Sequence, residues 1–324
     1  MVKVKRVNKL RVAVVAEDAD CDELTEENAK LFYTASQYAK PVYDMVASEF
    51  EDALKKEAGL EKKLRKTKTI EMKKGDITFK IKATPSTSTT YQSVCQRFSD
   101  YLEDLRDAAA AGVRRAGIRT FDEDTYVGLA EAETKFEQLM EENTSPRITP
   151  KVSYSKMKDK SLDKMITAVE VDPENCGEFT GENAKLYRVA KEQAKRIKKQ
   201  VTDPFKKALK AETGYDNNNV PEETVYELYE IGDYVFQVIS APRDNASYGE
   251  VAKGIKDIFN QAVVGVGIGR SSEDWLKVRD EQGFLNIGYM ISRYEKLLKD
   301  NTKTIVEQKI TVMPKPEYDS VVSV

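Results

Sequence analysis

Apolar residues recur with the 3.6-residue period of a helix in two long stretches of the chain. One runs through Leu31, Ala35, Tyr38, Val42, Val46, Phe50 and Leu54, the other through Leu186, Ala190, Ala194, Ile197, Val201, Phe205 and Leu209. Each predicts a helix packed along one side. Thr25 and Thr180 stand where an N-cap is needed, with Glu26, Glu27 and Glu182 in the first turn, where acidic groups favour the helix dipole. Gly59 and Gly214 supply the C-terminal stop. Pro41 and Pro204 interrupt the two runs at non-equivalent positions and predict a bend or a split in each helix.

Short apolar runs at Leu10–Ala16 and Met165–Val171 predict a strand ahead of each helix. Behind each helix the pattern alternates, through Ile70, Met72, Ile77, Phe79 and Ile81, and through Tyr229, Ile231, Tyr234, Phe236 and Val238. Gly75-Asp76 and Gly232-Asp233 sit at the centres of these stretches and predict two-residue hairpin turns. Pro85 and Pro242 are expected to end the second hairpin strands. Helices follow from Tyr91 and Tyr248, with Val94, Phe98 and Leu102 matching Val251, Ile255 and Phe259 on a core-facing stripe. Further helices are expected over 122–143, burying Leu129, Phe136, Leu139 and Met140, and over 280–301, burying Ile287, Tyr294, Leu297 and Leu298. Strands at 151–154 and 309–312 close the pattern.

The two series share a common offset at many positions. Thr-Glu-Glu-Asn-Ala-Lys-Leu at 25–31 returns as Thr-Gly-Glu-Asn-Ala-Lys-Leu at 180–186, and the offset of 155 grows to 157 at the hairpins and 158 at the closing strands. This reads as a tandem duplication of a β-α-β-β-α-α-β unit, residues 1–158 and 159–324, joined by a charged linker at Lys156–Lys160. The fold class expected is α+β, helix-rich, with a small mostly antiparallel sheet.

Composition narrows the function. The 324 residues carry 52 basic and 55 acidic groups for a net charge of -3, so electrostatic arguments must be local ones. Histidine is absent, which removes the usual general base and the commonest metal ligand. The three cysteines form no close-spaced pair, and the chain carries no apolar run approaching the roughly 20 residues of a membrane span. A cytoplasmic protein without cofactor or membrane partner is expected.

Few motifs suggest chemistry. Asp18, Asp20 and Asp22 imitate the start of a calcium loop, but Glu23 stands where glycine is needed and Ala29 where a bidentate glutamate is needed. Gly265-Val-Gly-Ile-Gly-Arg270 lacks phosphate-loop spacing and follows a helix rather than a strand. Arg270, with Arg114, Arg115 and Arg119 near the matching turn, is a candidate anion site, with a plain helix-to-helix loop as the alternative. Cys21 and Cys176 occupy matching positions, lack a base to activate them, and are expected to be packing residues.

The long helices differ most in charge. Leu24 to Ala58 holds seven acidic and four basic residues, whereas Phe179 to Thr213 holds four acidic and ten basic. Arg188, Lys191, Lys195, Lys199, Lys206 and Lys210 follow helical spacing opposite the apolar face, forming a candidate stripe for phosphates or an acidic protein surface, or else a solvated face.

The order of a long Lys/Glu-rich helix, a Gly-Asp hairpin (Lys74-Gly-Asp-Ile-Thr-Phe79; Ile231-Gly-Asp-Tyr-Val-Phe236), a Ser/Thr segment running into Tyr-x-x-Val, and a closing strand such as Ser145-Pro-Arg-Ile-Thr-Pro-Lys-Val152 resembles small proteins of bacteriophage recombination regions, Gam-type host-nuclease inhibitors among them. The resemblance is one of layout. It implies a non-enzymatic, phage-encoded protein that engages DNA or a host DNA-processing complex. The alternatives are a self-assembling virion or scaffold protein, with the acidic helix of one subunit meeting the basic helix of another, and an enzyme relying on carboxylate or lysine.

Overall fold

Thr25 and Thr180 begin the two long helices in the same way. Each hydroxyl accepts the N–H three residues on, from Asn28 and Asn183, at 3.2 Å. The same asparagines donate their side-chain amides back to the carbonyls of Glu23 and Glu178, at 3.0 and 2.9 Å, so each entry is tied twice. The computed structural model describes residues 5–7, 10–16, 21–60, 64–113, 117–121, 124–155, 165–171, 176–268 and 283–322. Strands β1 (Lys5–Val7) and β2 (Leu10–Ala16) lead into α1 (Glu26–Thr34), and after a π-wound turn at Ala35–Ala39 the helix continues as α2 (Lys40–Glu57). Strand β8 (Met165–Val171) precedes α5 (Gly181–Ile197), a π-turn at Lys198–Thr202 and α6 (Asp203–Glu212). Gly59 and Gly214 end both helices at φ +62° and +70°, backbone that a side chain would strain.

The π-turns are what the prolines do to these helices. A proline in a helix lacks its N–H and presses on the carbonyl four residues back, and widening the turn relieves both problems without breaking the rod. Each π-turn ends beside its proline, Pro41 in α2 and Pro204 in α6. Four residues before Pro204, the Gln200 carbonyl accepts the N–H of Cys21 at 3.2 Å. In the first helix the extra residue shifts the buried face: Tyr38, expected in the core, is 53% exposed, and Ala39 and Tyr43 are buried.

The hairpins form as expected. Strand β3 (Lys68–Lys74) pairs with β4 (Ile77–Thr89) around Gly75, φ +55°, and β9 (Val225–Ile231) with β10 (Tyr234–Ala246) around Gly232, φ +57°. Neither Pro85 nor Pro242 ends its strand. The pairing with β3 stops at Ala83 and that with β9 at Ser240, so beyond those points the missing N–H faces no ladder partner. The other edge is taken by β7 (Thr144–Tyr154) and by β12 (Thr302–Pro314), both longer than expected. Thr78 meets Ser155, Lys80 meets Ser153 and Ser86 meets Arg147, an antiparallel progression.

The expected helices over 122–143 and 280–301 start late. Residues Asp124–Gly128 form strand β6, paired with β5 (Ile118–Phe121) and with β11 (Phe284–Asn286), and only then do α4 (Leu129–Glu142) and α8 (Ile287–Asp300) begin. Val127 and Leu285 are fully buried between these strands and their helices, which an all-helical start would not provide. Helices α3 (Tyr91–Ala110) and α7 (Tyr248–Ile268) begin at the expected residues, and a last helix, α9 (Lys315–Val322), follows β12. The fold is α+β, with small antiparallel three-stranded sheets among the described residues.

The compact units cut across the sequence halves 1–158 and 159–324. One unit comprises residues Met1–Pro85, Ile148–Arg243 and Ile305–Val324, the other Ser86–Arg147 and Asp244–Thr304. In the first, the core is built by exchange. Phe32 lies 4.9 Å from Phe205 and 5.8 Å from Phe236 between ring centres. Tyr187, which matches Phe32 in the other half, lies 5.0 Å from Phe50 and 5.9 Å from Phe79, the matches of those two partners. Each helix entry therefore seals the hairpin core of the opposite half. Strands β2 and β8 also pair antiparallel with each other, Leu10 opposite Val171 and Ala16 opposite Met165. In the second unit, Phe98 of α3, Phe136 of α4 and Phe259 of α7 cluster with centres 5.1 to 5.9 Å apart, again mixing the two halves.

Candidate functional site

The basic stripe does not survive intact: its first two cations are taken up by packing, and the π-turn rotates the later ones. Arg188 is only 9% exposed and sits on the packed side of α5, where its charge bears on Tyr154. Lys191 reaches across to α2 and pairs with Glu51 at 2.8 Å, an oxygen that also accepts the Tyr187 hydroxyl at 2.8 Å. Burial and that carboxylate together push the Tyr187 phenol far above its ordinary range. Lys191 thus ties α5 to α2.

Lys195, Lys199 and Lys210 are joined by Lys198, three residues on from Lys195, and by Lys207, which a regular helical count from Lys195 does not select. A regular helix advances about 100° per residue, so one extra residue in a π-turn rotates everything beyond it by about that angle. Across Lys198–Thr202 this brings Lys207 into line with Lys195 and Lys199 and turns Lys206 aside, where its ammonium lies 5.9 Å from the centre of the Phe32 ring. The result is an open groove of about 760 Å³ lined by Lys195, Lys198, Lys199 and Lys207, with Pro204, Ala208 and Ala211 between them and the carboxylates of Asp22 and Asp203. Lys207 and Ala211 are shared with a second hollow of about 470 Å³, which adds Lys210 and the loop Gly214–Asn217.

The lysines are uncommitted. Among the described residues none of Lys195, Lys198, Lys199, Lys207 and Lys210 has a carboxylate within ion-pair distance, while at matching positions of the first helix Lys40 pairs with Asp44, and Lys55 with Asp52 at 2.9 Å. One helix face is self-neutralised and the other is left charged. Asp22 is carried to the groove by the bond from Cys21 to the Gln200 carbonyl. Beside the second hollow, Asp216 caps the N–H groups of Asn218 and Asn219 at 2.7 and 2.9 Å, and the Gln308 amide holds Thr213 and the Tyr215 carbonyl, so this wall is rigidly bonded. The two residues by which the second half outgrows the first fall in this loop region.

The other candidates come apart. Arg119 lies 3.9 Å over the Phe284 ring in the β5-β6-β11 sheet, a cation–π contact that holds the strand edge. Arg114, Arg115 and Arg270 lie outside the described residues, as do Asp18 and Asp20. Among the described residues no group of acidic and cysteine side chains is placed to hold a metal ion, and no helix is long and apolar enough to cross a membrane. Cys21, Cys95 and Cys176 are buried and unbridged. Burial pushes the Cys95 thiol up to about 11, which keeps it protonated and unreactive at neutral pH. No protein-family model, curated protein or solved structure matches the chain.

Proposed function

We propose that this is a non-enzymatic binding protein whose ligand is a nucleic acid, held by the lysine groove of the second long helix. The observation that carries this reading is the set of five lysines without ion-pair partners along two adjoining hollows, set against the neutralised face at matching positions of the first helix. Folding does not require such a concentration of like charge, which costs repulsion unless an anion relieves it. The absence of histidine and the protonated Cys95 support a role without catalysis, and the unbridged cysteines support a reducing, cytoplasmic setting. The layout shared with phage recombination-region proteins fits the same reading, with a host DNA-processing complex as the place of action.

The test is fluorescence anisotropy on labelled DNA with the variant Lys195→Glu/Lys199→Glu/Lys207→Glu. The three side chains are exposed, and Glu and Lys have similar helix propensity, so the helix should form normally. Affinity should fall at least about 30-fold, roughly 2 kcal/mol. Unchanged binding overturns the assignment.

Self-assembly is a second reading with its own support. Tyr226 and Leu228 are 65% and 52% exposed on β9, an edge strand, where the matching positions of β3 are Thr69 and Glu71. Light scattering of Tyr226→Ser/Leu228→Ser against the parent tests it: an unchanged monomeric mass in both rules it out.

A further inference from the structure

Resting on the nucleic-acid reading, we infer that the groove takes the phosphate backbone of a double helix, without reading sequence and without gripping single strands. Three features of the lining point the same way. Its cations are all lysines, and lysine is a point charge on a flexible stem, whereas the planar fork that recognises guanine bidentately belongs to arginine, which is missing from both hollows. Single-strand binders hold their ligand by stacking bases on aromatic rings. The main groove has no aromatic side chain, and the one ring nearby, Tyr215, is half-buried in a turn whose N–H is tied to Thr213 and whose carbonyl is tied to Gln308. Finally, Asp22 and Asp203 line the main groove, so a strand thin enough to enter it brings its phosphates against two carboxylates, while a duplex can rest on the long lysine stems.

The spacing suits a backbone. From Lys195 to Lys210 the helix advances roughly 22 Å at its standard rise. That length lets the row of lysines meet several successive phosphates of one backbone strand. Between the lysines the surface is Pro204, Ala208 and Ala211, small enough for the sugar–phosphate chain to approach.

The experiment compares two 24-base-pair DNA duplexes of unrelated sequence, their separated strands, an RNA duplex of the same length, and poly-glutamate, at several salt concentrations. We expect the two DNA duplexes to bind within about threefold of each other and the separated strands at least tenfold more weakly. The logarithm of the duplex binding constant should fall with the logarithm of salt at a slope of about -3.6 to -4.5, for four or five phosphate contacts. Equal binding of the RNA duplex supports backbone recognition in either helical form, and loss of RNA binding alone supports B-form DNA as the source. The proposal is overturned if single strands bind as tightly as duplexes, if one sequence is preferred more than tenfold, if Tyr215→Ala weakens binding as much as the lysine reversal, or if poly-glutamate binds as well as DNA. Single-strand binding as tight as duplex binding that still depends on Lys195, Lys199 and Lys207 overturns only this inference. Binding that ignores those lysines overturns the nucleic-acid reading itself.

Discussion

Val127 and Leu285 face each other directly across β6 and β11, both fully buried, and each stands at the other's position in its own half of the sequence. The flanking pairs, Gly128 with Phe284 and Tyr126 with Asn286, exchange under the same offset of 158, so a local twofold relation passes through this one contact. Leu285→Ala should cost about 2–4 kcal/mol and Val127→Ala about 1–3 kcal/mol in urea unfolding. Because the two side chains share one space, the double variant should fall short of the sum by more than about 0.5 kcal/mol. Strict additivity would show that the pair does not act as a unit.

Phe32 and Tyr187 each complete the ring cluster of the opposite half. Fragments 1–158 and 159–324, produced separately, should therefore lack cooperative unfolding as monomers and recover it when mixed or co-expressed. Circular dichroism and light scattering check this. A monomeric fragment with a sharp transition of its own would mean the exchange is dispensable.

Stability should fall in alkali in a set order. The Cys95 thiol is raised from 9.0 to about 11 by burial, so between those values the native state holds a proton that the unfolded chain has lost. Its contribution is complete below pH 9 and is lost as pH rises towards 11, an effect of order 2–3 kcal/mol. Tyr154 and Tyr294, raised to about 12, extend the decline. Unfolding midpoints at pH 8, 10 and 11 measure it, and Cys95→Ala should flatten the first part of the curve.

Asp22 and Asp203 oppose the lysines they stand among. Asp22→Asn/Asp203→Asn should tighten DNA binding about two- to fivefold per charge removed at low salt, with the gain shrinking above roughly 0.3 M. Asp203 is exposed and lies within a continuous helical rod, so removing its charge should leave the fold intact. Weaker binding by a folded double variant would place the ligand elsewhere.

Locally determined features could be read from the residues. The Thr25 and Thr180 caps, the Gly75 and Gly232 turns and the starts of helices at Tyr91 and Tyr248 each depend on a few neighbouring residues. Periodicity also identified which faces are buried, from Leu186 to Leu209. It could not say against what, since nothing in the spacing of Phe32 distinguishes Phe50 from Phe205 as its neighbour. The three residues of β11 were too few to show a period, and their partner lies over 150 positions away. At the site, Lys195, Lys199 and Lys210 follow from helical spacing, and Lys198 lies within the same spacing, whereas Arg188 and Lys191 are taken up by packing against the other half and Lys207 is hidden by a change of winding.

That change of winding works as a vernier. Deleting one residue from Lys198–Thr202 would let the turn close to ordinary α geometry and swing α6 back by about 100°, carrying Lys207 out of the groove and Phe205 out of its ring cluster. The charge of the segment would hardly change, yet its address would. A lysine face set this way depends on the exact number of residues in the turn, and the buried Phe205 ties that number to the packing of the core. Pro204 holds the setting by making the tighter winding costly. Composition alone therefore cannot tell a chain that presents this groove from one that has turned it away.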